Sequence, residues 1–381
     1  MHGFIPSRWT AVFTAALLYL GLPGAASAEE AVEALPEAHI ALILPSKAKA
    51  IAGPSEAVWH GAQAAELRLG DELTPKLRLY PTTERDEDAL LAYQQALKNG
   101  AVGVIGPLTR GGIAKLVEFG SPEVPVLALN SLDGLGQRNN LYGLGLSIEA
   151  EVRQVVRLMR TEGVRKPLVI ESDGALTKRM REAFNAEWTR NGDALPMELK
   201  FADAKDGLAK LKTSVDALAP DAIFLAADQK KARLIRPYLG ADRPVYATSQ
   251  VWSGKFGRVS VLNNDLAGVR FVDMPWLLDP YQHDIASFKR NDKPLSPDLE
   301  RLYALGLDAY RLSLMLLVAA PGASIELEGV SGTLRLGEDG QFQRDLLRGD
   351  IGGQPRTPKP EPEPLPAADP AGLTVTTQPV S

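Results

Sequence analysis

Short polar clusters follow apolar runs along this chain, at Pro45-Ser46-Lys47, Pro81-Thr82-Thr83, Thr109-Arg110, Asn130-Ser131, Ser172-Asp173 and Ser249-Gln250. Hydroxyl, amide and carboxylate groups of this kind hydrogen-bond small polar ligands, and the same residue types cap helix starts. The candidate ligand-binding residues are therefore Ser46, Thr82, Thr83, Thr109, Arg110, Asn130, Ser131, Asp173, Ser249 and Gln250. Arg110 stands apart, because a cation in the first turn of a helix opposes the dipole and suits an anionic or carboxylate partner.

Covalent and acid-base chemistry find no comparable constellation. There is no G-x-S-x-G elbow, no H-E-x-x-H pair and no phosphate-binding loop; Ser253-Gly254-Lys255 lacks the upstream glycine and the following hydroxyl. His2, His39, His60 and His283 are scattered, without the spacing of metal ligands. Asp86-Glu87-Asp88 could suggest paired carboxylates, but it stands where a helix begins and matches the dipole there. The sequence reads as a binding protein with no catalytic residue, no cofactor and no metal.

Such a site needs a scaffold that delivers its loops to one edge. From residue 39 onward, short β-like runs alternate with amphipathic helices. His39 to Leu44 is the first strand, and Val58, Ala62, Ala65 and Leu69 then recur with helical spacing. Further strands are expected at Leu77 to Tyr80, Val102 to Ile105, Val126 to Leu129, Pro167 to Ile170, Met197 to Phe201, Ala222 to Leu225 and Val245 to Ala247. A long helix is expected over Pro297 to Val318.

Near-continuous apolar strands separated by helices imply parallel sheets covered on both faces. The expected fold is α/β, with two doubly wound parallel-sheet lobes, residues 37–146 and 147–276, joined by a hinge of several strands. Residues 277–350 are expected to return to the first lobe and to end in a hairpin around Asp339-Gly340. Residues 351–381 are proline-rich and polar, with too little apolar surface to order themselves, and read as a disordered tail. In doubly wound sheets ligands sit beyond the carboxyl ends of the strands, where the six polar clusters fall.

The first 28 residues read as a secretory signal: a basic start, an apolar run from Trp9 to Leu22, the break at Pro23-Gly24, and the small residues Ala26-Ser27-Ala28 before the cut. The mature chain is expected to begin at Glu29 in the periplasm, with no membrane-spanning segment. Of 381 residues, 45% are hydrophobic and 23% charged, enough for a large folded core. The net charge of -5 gives no footprint for nucleic acid. The absence of cysteine leaves no disulfide to stabilise the fold and no thiol for a lipid anchor.

The segments HIALILPS, VIGPLTRGGIAKL and PVLALNS resemble type I periplasmic binding proteins of the Leu/Ile/Val-receptor kind. VYATSQVWSG, FVDMPWLL, RLYALGLDAYRL and SGTLRLGEDGQFQRDL narrow the resemblance to the penicillin-binding protein activator family, over residues 38–348. That resemblance implies a periplasmic enzyme regulator that docks on a class A penicillin-binding protein in peptidoglycan synthesis. Trp252 and Trp276, inside these segments, are the candidate partner-interface residues, since large aromatics anchor interfaces. A solute receptor for an amino acid or another small polar ligand, feeding an ABC transporter, is the other reading.

Overall fold

The computed structural model describes residues 37–118, 120–256, 261–320 and 322–354. The expected signal segment with its cleavage site, and residues 355–381 of the expected tail, lie outside them. The chain begins with β1 (His39–Leu44), α1 (Ala52–Leu69), β2 (Lys76–Pro81), α2 (Asp86–Lys98), β3 (Ala101–Ile105), α3 (Arg110–Val117), β4 (Val126–Ala128) and β5 (Leu141–Gly143). These strands form one five-stranded parallel sheet in the order β2-β1-β3-β4-β5. Residue parity shows why both faces are covered. Ile40, Leu42 and Leu44 point into one buried cluster, while Ala41 and Ile43 point into another on the opposite face.

A second series follows: α4 (Ile148–Thr161), β6 (Pro167–Glu171), α5 (Ala175–Thr189), β7 (Met197–Lys200), α6 (Gly207–Leu218), β8 (Ala222–Ala226), α7 (Gln229–Ile235), β9 (Val245–Tyr246), α8 (Val261–Asn264) and β10 (Arg270–Asp273). Its sheet is also two-faced. Leu168, Ile170, Ile223 and Leu225 enter one core, and Val169 and Phe224 enter the other.

The last part contains α9 (Pro275–Leu278), α10 (His283–Ala286), α11 (Pro297–Val318), β11 (Glu326–Glu328), β12 (Thr333–Leu336), β13 (Phe342–Asp345) and β14 (Leu347–Asp350). Helix α11 starts where Ser296 accepts the Leu299 amide and Pro297 takes the first turn. It packs along α1 and places Tyr303, Leu307 and Tyr310 in the core of the first sheet. Strands β11 to β13 form a small antiparallel sheet whose turn reaches the first lobe, with the Gly143 amide donating to the Gly340 carbonyl at 3.0 Å.

One expectation is corrected here. Residues 277–350 do not all return to the first lobe: β14 runs antiparallel to β10 and completes the second sheet in the order β14-β10-β9-β8-β6-β7. Charge holds it in place. Glu162 accepts from Arg348 at 2.7 Å with one carboxylate oxygen, and from the Tyr246 hydroxyl at 2.5 Å and from Arg270 with the other. The chain thus passes between the two sheets three times, after β5, after β10 and after β13.

Candidate functional site

Parallel register brings the ends of the first-sheet strands level, pairing Leu44 with Pro81 and Ile105 with Leu127. The loops after β1 to β4 therefore emerge together, as the sequence implies. The turn after β3 is forced by glycine: Gly106 has φ +101°, and a Cβ there would lie 2.2 Å from the Ile43 carbonyl oxygen. Thr109 then caps α3, its hydroxyl accepting the Gly112 amide at 3.2 Å.

The polar clusters of this lobe are tied to one another. The Thr82 amide donates to the Leu44 carbonyl at 2.8 Å, and its own carbonyl accepts the Lys47 amide at 3.0 Å. Half-buried Ser46 turns back, its amide donating to the Leu44 carbonyl at 2.8 Å. Asn130 donates to the Leu108 carbonyl at 2.9 Å and accepts the Ser131 amide at 2.9 Å, while the Ser131 hydroxyl accepts the Asp133 amide at 3.2 Å. Arg110 is exposed and donates to the Asp133 carbonyl at 3.0 Å. Thr83 donates to Asp88 at 2.5 Å, and this bond is the largest cause of the Asp88 carboxyl lying below its usual range.

Thr82 and Thr83 also line a hollow of about 370 Å³ with Lys47, Tyr80, Asp88 and Leu91. It combines polar anchors with apolar walls, as small-ligand sites do.

On the second lobe the candidate residues separate. Asp173 is exposed, 3.7 Å from the Lys200 ammonium, and Gln250 is half-buried. Ser249 is not a cleft-lining group as expected but a buried one. Its amide donates to Glu151 at 3.1 Å, its carbonyl accepts from Arg301 at 3.1 Å, and its hydroxyl has no partner among the described residues.

The two tryptophans are likewise corrected, because neither offers its ring to a partner. Trp252 is 5% exposed and packs against Phe256 and Phe271 with centroids 5.3 Å away. Trp276 is fully buried, stacked on Tyr303 at 5.6 Å, with its indole N–H on Glu300 at 2.7 Å and the Arg290 guanidinium 3.4 Å from its ring centroid. Both rings are core, drawn in by the area a large aromatic removes from water.

What sequence reasoning missed is a group of buried charges between the lobes. Arg301 of α11 forks onto Asp273 at the end of β10, with Nε to Oδ1 at 3.0 Å and Nη2 to Oδ2 at 2.7 Å, both side chains almost wholly enclosed. Asp308, one turn further along α11 after the next, accepts the Val330 and Ser331 amides, the Ser331 hydroxyl and Arg311 at 2.7 to 3.1 Å. Arg344 of β13 is buried and donates to the Ser331 carbonyl at 3.3 Å. Gln154 of α4 bridges to the same strand, donating to the Arg344 carbonyl at 2.8 Å and accepting the Leu346 amide at 2.7 Å.

Burial sets the electrostatics of the group. Desolvation, helped by the Asp273 charge, raises the Glu151 carboxyl above its ordinary 4.5, against the pull of Arg301 and Arg344. Burial works to lower Arg301, but the charge and hydrogen bonds of Asp273, with the Glu151 and Asp298 charges, together more than offset it and keep the guanidinium charged. The signal for this group was present as charges inside apolar stripes. Arg301, Leu305, Asp308 and Leu312 share one face of α11, and Glu151 and Val155 share one face of α4.

The model of the LppC putative lipoprotein family matches residues 14–219 and 214–348. Over 357 residues the chain is 28% identical to the penicillin-binding protein activator LpoA of Vibrio cholerae serotype O1, covering 83% of this chain and 57% of that protein. The Klebsiella pneumoniae protein of the same name is 27% identical over 309 residues, covering 71% of this chain and 43% of its own length. The chain thus spans about half the length of these curated relatives.

Among solved structures, one described as a putative branched-chain amino acid ABC transporter from Chromobacterium violaceum superposes with a TM-score of 0.71 at 36% identity, covering 82% of this chain and 100% of that one. The C-domain of LpoA from Haemophilus influenzae, described as a regulator of PBP1A, superposes with a TM-score of 0.65 at 22% identity, covering 83% and 98%. The shared fold is the α/β arrangement of two parallel sheets described above.

Proposed function

This chain belongs to the LppC putative lipoprotein family, and on that premise we propose that it is a non-catalytic protein of the periplasm that activates a class A penicillin-binding protein in peptidoglycan synthesis. The observation that carries the reading is the alignment with curated penicillin-binding protein activators over 83% of the chain. The cleft loops support it, since their polar groups are largely engaged with one another and act as scaffold. The test adds purified residues 29–381 to a class A synthase from the same cell and measures the rate of glycan crosslinking. A rise in rate is expected; an unchanged rate at saturating concentration refutes the reading.

A second reading, a receptor that passes a small amino acid to a transporter, is favoured by the 36% identity to the Chromobacterium violaceum protein and by the hollow at Thr82 and Thr83. Calorimetry against branched-chain amino acids separates the two. Micromolar binding that is lost in Thr83→Ala, with no effect on any synthase, moves the protein to the receptor class.

A further inference from the structure

Leu73 is the most exposed large apolar side chain among the described residues, at 92%, and it stands on a turn that is held in place. Asp71 accepts the Leu73 and Thr74 amides at 3.0 and 2.8 Å and the Thr74 hydroxyl at 2.6 Å, and Lys76 closes the turn on the Asp71 carbonyl at 3.0 Å. A leucine fixed this way gains nothing within the chain, since its area stays in water while the turn gives up its freedom. Beside the turn lies a hollow of about 700 Å³, roomier than the one at Thr82 and Thr83. Gln63, Ala64 and Leu67 of α1 form one wall, and Lys289, Arg290 and Tyr303 form the other. Its charged lining sets Lys76, Lys289 and Arg290 against Glu66 and Asp292, an excess of one cation with His60 neutral. The Glu66 carboxylate is engaged by the Leu77 amide at 2.8 Å, whereas Lys76 has no carboxylate partner among the described residues. The turn, in contrast, carries the exposed carboxylates of Asp71 and Glu72 and no cation before Lys76.

Gly70 and Lys76 bracket the turn and also line the hollow, while Leu73 does not line it. An acidic, leucine-tipped projection and a cationic hollow with apolar walls therefore share one face of one chain. We propose that this face joins two copies of the chain about a two-fold axis, each copy seating its Leu73 turn in the hollow of the other. Two-fold pairing satisfies both halves of the match at once, as an isologous contact requires, and it closes at the dimer. The acidic turn then meets the cationic lining, and Leu73 leaves water against Ala64, Leu67 and Tyr303. Lys76 opens β2, whereas the cleft loops follow the far ends of the strands, so the pairing leaves those loops free. It does not rest on the synthase reading.

Sedimentation velocity on purified residues 29–381, from about 1 to about 100 μM, tests the pairing. The sedimentation coefficient is expected to rise with concentration from monomer to dimer and to stop there. Leu73→Asp puts a carboxylate on the tip of the turn, and Gln63→Trp fills the hollow from an exposed helix position. Each should weaken dimerisation by about tenfold or more while melting as the parent does. A monomer throughout the range overturns the proposal, as does a dimer indifferent to either substitution or a species that grows beyond two copies. A monomeric parent whose stimulation of a synthase is lost in Leu73→Asp also overturns it, and gives the face to that enzyme.

Discussion

Gly61 and Gly306 are reciprocal at the crossing of α1 and α11: a Cβ on Gly61 would lie 2.0 Å from the Tyr303 carbonyl oxygen, and one on Gly306 would lie 2.1 Å from that of Val58. The obstructing atoms are backbone, so neither helix can yield by a rotamer change. Gly306→Ala should therefore part the helices and destabilise the fold by about 1–3 kcal/mol, typical of overpacking. Denaturant melts check it: the midpoint should fall at constant slope, and an unchanged midpoint would mean that the helices have room to separate.

The Arg301 and Asp273 pair should behave as a buried ion pair in a mutant cycle. Arg301→Met strands Asp273 in the core and should cost about 3–5 kcal/mol, whereas Arg301→Met/Asp273→Leu should recover a large part of that loss. If the two single losses simply add in the double variant, the residues are not coupled.

Glu151 gives the fold a pH dependence of definite sign. Burial first, and then the Asp273 charge, raise its carboxyl above 4.5. The neutral form is favoured on folding, so its contribution is complete below 4.5 and is lost as pH rises through the raised value. Melting curves from about pH 4 to about pH 9 should show the parent losing stability relative to Glu151→Gln as pH rises. Parallel curves would refute the assignment. Asp203 and Asp216, lowered from 3.8 by bonds to Lys231 and Lys212, act in the other direction and only as pH falls below that value.

Trp276→Ala should be felt in stability and not primarily in a docking surface. Its ring is enclosed by Tyr303, Arg290 and Glu300, and truncation should cost about 3–5 kcal/mol. Full stability together with weakened synthase binding would restore its interface role.

Local chemistry made much of the fold legible. The acids at Asp86 to Asp88 and the closing Lys98-Asn99-Gly100 mark α2, and Ser296-Pro297 marks the start of α11. Strand β14 was hidden because Leu347–Asp350 carries no clear alternation and its partner β10 is remote in sequence. That the loops after the first-sheet strands emerge at one edge was legible from topology. The buried charges were marked only by their place in the apolar stripes of α4 and α11, and which partners enclose Glu151, Arg301 and Asp308 depended on distant segments, as did the burial of Trp252 and Trp276.

The late return of the chain has a consequence for biogenesis. The strands of the first sheet are complete by Gly143, but α11, which covers one of its faces, is made only after β10 of the second sheet. The second sheet in turn lacks its edge strand until Asp350. Neither lobe can mature while the other is still being synthesised, so a nascent chain that stops short of residue 297 leaves the apolar face of Ile40, Leu42 and Leu44 covered by α1 without α11.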